Sequence, residues 1–91
     1  MINEKEVAIV NASSRALKII KKASDMPVEE IIQRLMPFLS DMNEEAKIAA
    51  IAAINGIVKM RRDKTYNNLT DRKLIEKFVT KFKEESSEEL D

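Results

Sequence analysis

Thirteen consecutive residues, AKIAAIAAINGIV from Ala46 to Val58, carry only two polar side chains, Lys47 and Asn55, in a chain where 35% of residues are charged. Wound at about 100° per residue, the stretch separates by size. Ile48, Ile51, Ile54, Ile57 and Val58 fall across one half of the helix, and Ala46, Ala49, Ala52, Ala53 and Gly56 across the other. A helix apolar nearly all round is buried from more than one direction. Its small half lets a neighbouring helix come toward the short end of the usual ~8–10 Å axis separation. The stretch is therefore expected to be the central helix of a helical fold.

The rest of the chain agrees with a helical class. With 44% hydrophobic residues and one glycine in 91 residues, the chain is too apolar to stay disordered, and apolar positions recur at helical spacing rather than in alternation. Ninety-one residues make one domain, which buries roughly 60–65% of its unfolded surface. The reading is all-α: a compact four-helix bundle over residues 1–83, with helices at about 4–23, 28–40, 44–61 and 71–83, and a frayed acidic tail over 84–91.

The first helix has Asn3 as N-cap and Glu6 in capping-box spacing, with Ile9, Ala12, Ala16, Ile19, Ile20 and Ala23 as its stripe, widened by Val10 and Leu17. Pro27 suits the first turn of the second helix, whose stripe is Val28, Ile31, Ile32, Leu35, Met36, Phe38 and Leu39. Pro37 removes a donor and clashes with the preceding turn, which predicts a bend over Gln33–Pro37. Asn43 is the expected cap of the third helix, and the short SDMN link makes the second and third helices antiparallel neighbours. Thr70-Asp71 opens a fourth helix with Leu74, Ile75, Phe78, Val79 and Phe82 inward.

The segment EIIQRLMPFLSDMNEEAKIAAIAAINGIVK, within roughly residues 28–60, resembles a HEAT repeat. The likeness lies in the apolar-Pro-apolar bend at Met36–Leu39, the tight turn holding Asp41, and the small, apolar second helix with Lys47 near its start. The resemblance implies a polar ladder role for Asp41 and Lys47 between stacked repeats. The family prefers arginine where this chain has Lys47, and lysine cannot supply planar bidentate pairing. Shifted by 38 residues, the first helix sets Val10 on Ile48, Ala12 on Ala50, Ile19 on Ile57, Ile20 on Val58 and Lys21 on Lys59. That match implies the second helix of a truncated earlier unit. Solenoids normally need about three units to bury their faces, so two must close into a bundle or stack on another molecule.

The chain holds no histidine, no cysteine and one tyrosine, which leaves acid–base or nucleophilic work to carboxylates, lysines and hydroxyls. The pairs Glu29-Glu30 and Glu44-Glu45 sit at helix starts, where the dipole favours ordinary ionised carboxylates. Neither a Glu-x-x-His motif nor an EF-hand loop is present. No catalytic residue, metal, cofactor or small-molecule substrate is expected. MINEKE has no basic segment leading into an apolar core, and the apolar runs are far shorter than the ~20 residues of a membrane span. The expectation is a cytoplasmic protein without membrane attachment; abundant Lys, Glu and Ile without Cys leans toward a thermophilic source.

Charge is distributed unevenly. The net charge is zero, yet residues 47–83 hold ten basic and three acidic side chains, a net +7, and residues 84–91 hold five acids. Two functions follow. The first is a protein-interaction module, an adaptor or regulator, contacting another protein or itself as a homodimer through Ala46, Lys47, Ala49 and Ala53. The second is a nucleic-acid-binding accessory protein contacting phosphates through Lys59, Arg61, Arg62, Lys64, Arg72, Lys73, Lys77 and Lys81, with Tyr66 stacking on a base.

Overall fold

The computed structural model describes residues 4–90, with side chains through Glu85. The elements are α1 (Glu4–Lys22), α2 (Val28–Arg34), α3 (Met36–Leu39), α4 (Glu44–Arg62) and α5 (Asp71–Leu90), and no strand occurs among the described residues. The fold is all-α, as the apolar spacing predicts. The expected Asn3 cap lies outside the described residues.

The expected second helix is two. Leu35, at φ −93° and ψ 0°, interrupts it between α2 and α3, inside the stretch where Pro37 predicts a bend. Its N–H is shared between the carbonyls of Ile31 and Ile32, both at 3.1 Å. Pro37 itself is exposed, so the ring that breaks the ladder faces water. Pro27 stands just outside α2 as its N-cap, with extended backbone and no side-chain cap bond, rather than in the first turn. Asn43 caps α4 as expected, its Oδ1 accepting from the Ala46 N–H at 2.9 Å. At the other end of the chain, α5 continues past the expected boundary at residue 83 to Leu90.

Helix directions follow from contacts between helix ends. Asn43 Nδ2, at the start of α4, donates to Glu4 Oε2 at the start of α1 (3.1 Å). Arg62, the last residue of α4, donates to the Ser24 and Met26 carbonyls just past α1, at 2.9 and 2.6 Å. Thus α1 and α4 lie side by side in the same direction, in a register close to the 38-residue offset. Antiparallel to both, α5 has Asp71 at its start paired with Arg61 (2.7 Å) and Lys83 paired with Glu6 (2.6 Å). Val28, opening α2, shares a groove with Asn55, Val58, Lys59 and Arg62 near the end of α4, which makes α2 and α4 antiparallel.

The α1–α4 pair forms a middle layer. On one flank, Ile31 of α2, Leu35 between the two short helices and Leu39 of α3 join Ala12, Ala16, Ile20, Ala50, Ile54, Ile57 and Val58 in the larger core cluster. On the other, Phe78, Val79 and Phe82 of α5 pack over Ile9, Ala49 and Ala53. A Cβ at Gly56 would fall against Phe78 Cε2 and within 3.0 Å of its Cζ, so the glycine admits the ring. Ala49, Ala53 and Gly56 of the small flank are thus covered by the chain's own α5, whereas Ala52 stays exposed.

Ser13, outside the expected stripe of α1, is fully buried and its Oγ has no hydrogen-bond partner. An unsatisfied buried hydroxyl costs about 1–3 kcal/mol, and alanine also has the better helix propensity. Ser13→Ala is expected to stabilise the protein by about 1 kcal/mol in urea denaturation, and a loss of stability would contradict that burial.

Candidate interaction surface

The structure turns α4 so that its buried arc is centred between the two expected halves. Ala46, Ala49, Ala50, Ala53, Ile54, Ile57 and Val58 are buried, whereas Ile48 is 61% exposed. Proposed contact residues Ala46, Ala49 and Ala53 therefore offer no free surface, because α1 and α5 already occupy it. This corrects the expectation that the alanine flank meets a partner. Lys47 is half-buried beside them, and among the described residues it makes no ion pair with the exposed Asp41.

What α4 presents outward is a ridge of Glu45, Ile48, Ala52, Asn55 and Lys59, all exposed. Sequence reasoning grouped Ile48 with the buried isoleucines, yet the signal was present. Asn55 marks the wet arc of an apolar stretch, and seven residues of helix return to within about 20° of the same direction. Ile48 therefore shares that arc.

A second apolar strip lies on α1. Val7 and Val10 are 42% and 36% exposed, and Val10 lines an open groove between α1 and α5 with Ser14, Ile75 and Val79.

The basic residues of the nucleic-acid reading do not form one surface. Arg61 donates through one nitrogen to the Leu69 carbonyl (2.9 Å) and through the other to Asp71 Oδ1 (2.7 Å), holding the 63–70 loop against the start of α5. Arg62 holds the turn after α1 by its bonds to Ser24 and Met26. Tyr66 is half-buried against the core. Lys81 donates to its hydroxyl at 3.4 Å, with the ammonium 5.6 Å from the ring centroid. Arg72 pairs with Glu76 at 3.5 Å. Lys64 is exposed on the loop, and Lys59 belongs to the α4 ridge. Lys73, Lys77 and Lys81 share one groove with Glu76 and Glu84, and Lys59 and Arg62 line another near the end of α4. Their place in the last turn of α4 marked the two arginines as favourable to the helix dipole, but their partners lie outside α4 and no local pattern shows them.

Among the described residues no three His, Cys, Asp or Glu side chains are grouped to hold a metal ion, and no helix is long and apolar enough to cross a membrane. The fold and surface define a three-layer helical protein with one exposed apolar ridge on its central helix. No protein-family model, characterised protein or solved structure matches the chain.

Proposed function

We propose that the protein is a non-enzymatic, cytoplasmic helical interaction module, an adaptor or regulator whose contact surface is the outer ridge of α4. The observation that carries this reading is Ile48, 61% exposed on that ridge, on a helix otherwise enclosed by α1, α2 and α5. Scattered exposed apolar residues are normal on any protein. Ile48 differs in its setting: half-buried Ile51 and exposed Ala52 extend the apolar surface around it.

The HEAT-like reading supports the same surface. Two helices in parallel at a near-38-residue offset are what the second helices of consecutive units would give, and a further unit would stack on the flank of α4 facing away from α1. That flank is the ridge.

The test is a photo-cross-linking side chain at position 48, compared with one at the exposed Lys22 of α1, in the source cell. A discrete protein adduct from position 48 alone is the expected result. Equal or absent labelling at both positions rejects the reading.

A further inference from the structure

We infer that the occupant of the α4 ridge is a second copy of the same chain, docked antiparallel; this rests on the interaction-module reading and names its partner.

The first observation is spacing. Residues 45, 48, 52, 55 and 59 follow steps of three and four, the repeat that keeps one seam straight along a helix facing another helix. All five are exposed. At the centre stands Ala52, whose small side chain allows two axes to approach to about 8 Å, with the larger Ile48 to one side of it.

The second observation is charge. Glu44 and Glu45 open the helix, Lys59 lies near its end, and all three are exposed. None has an ion-pair partner among the described residues. The ridge is thus acidic at one end, apolar and small in the middle, and basic at the other. Two copies in parallel would set Glu45 on Glu45 and Lys59 on Lys59. Two copies related by a two-fold axis near Ala52 set Glu45 of each against Lys59 of the other, with both Ile48 side chains between these pairs. Electrostatic complementarity of this kind fixes register and excludes the like-charged arrangement.

The open alternative is a head-to-tail contact of the ridge with the outer side of α1, where Val7 and Val10 are exposed beside Asn11, Arg15 and Lys18. Such a contact would not close on itself. The two-fold contact uses the same patch twice and closes at two chains. A ridge of this length falls below the 1,200–2,000 Å² of a standard stable interface, so association is weak.

Sedimentation equilibrium on the full chain from about 10 µM to 1 mM tests this. The mass is expected to rise from one chain of 10.4 kDa toward two. Ile48→Asp is expected to hold it at one chain throughout, and Glu45→Lys or Lys59→Glu alone to weaken association about tenfold or more. An equimolar mixture of the Glu45→Lys and Lys59→Glu chains is expected to associate within about threefold of the unaltered protein, because opposite charges again face each other. Circular dichroism melting of each variant confirms that the fold is retained. A single-chain mass for the unaltered protein at the highest concentration overturns the proposal. So does a dimer indifferent to Ile48→Asp, or a mixture no more associated than its components. If the chain is monomeric yet position 48 cross-links to a different protein, the second copy is rejected and the interaction reading stands. A monomer with no specific cross-link rejects both.

Discussion

Ile54→Ala is expected to cost about 3 kcal/mol of folding stability, whereas Ile48→Ala, on the same helix, is expected to change it by less than about 0.5 kcal/mol. Ile54 has no exposed surface and lies in the cluster that joins α1, α2 and α4. Truncating it removes buried methyl and methylene groups and leaves a cavity that rigid neighbours fill only in part, which places such changes at about 2–5 kcal/mol. A domain of this size has roughly 5–14 kcal/mol in total. The midpoint of thermal unfolding should fall by roughly 12–25 °C, at about 4–8 °C per kcal/mol. Ile48 is 61% exposed, so its truncation leaves little cavity and slightly improves helix propensity. Equal losses at the two positions, read by circular dichroism melting, would show that the buried arc of α4 is not where the structure puts it.

That contrast also shows what the sequence could specify. The size sorting of residues 46–58 told that α4 is covered on both flanks, and the two clusters bear this out: Ile54 and Val58 meet the α2–α3 side, Ala49 and Ala53 the α5 side. It did not tell the direction of the third side, open to water. An amphipathic pattern with few polar residues leaves the helix free to rotate about its axis on paper, and only the position of α1 fixes it. Ser13 is a different case: four residues after Ile9 and three before Ala16, it lies on the buried arc by helical spacing, and only its polarity keeps it off an apolar stripe. Pro37 was legible because its effect is local: the missing donor and the clash lie within one turn.

The candidate site was read less well, for a physical reason. Ala46, Ala49 and Ala53 are small because a helix must approach them, but sequence does not say whether that helix belongs to the same chain. Here it does, since Phe78, Val79 and Phe82 of α5 provide the covering side chains. The ridge that is left emerges only by subtraction, once every covered position is known.

The arginines at the end of α4 lead to the second large effect. Arg61→Glu with Arg62→Glu is expected to destabilise the protein by about 3–4 kcal/mol, lowering its melting midpoint by roughly 12–32 °C. Arg61 keeps only 19% of its side-chain surface and bonds Leu69 and Asp71 through separate nitrogens. A glutamate there strands the Leu69 carbonyl and faces Asp71 with a like charge. At position 62 it deprives the carbonyls of Ser24 and the buried Met26 of their donor. Hydrogen bonds to charged groups contribute about 1.5–3 kcal/mol each, less where water can replace the donor, as at the exposed Ser24. Arg61→Lys is expected to retain only part of the stability, because an ammonium lacks the fork that spans both acceptors. By contrast, Lys73→Glu with Lys77→Glu on the exposed face of α5 should move the midpoint by no more than a few degrees. The consequence reaches beyond stability. In the double arginine variant a loss of polyanion affinity is confounded with the loss of stability, so a nucleic-acid role has to be read from the lysine pair, as a fall in heparin retention with the melting midpoint moved by no more than a few degrees.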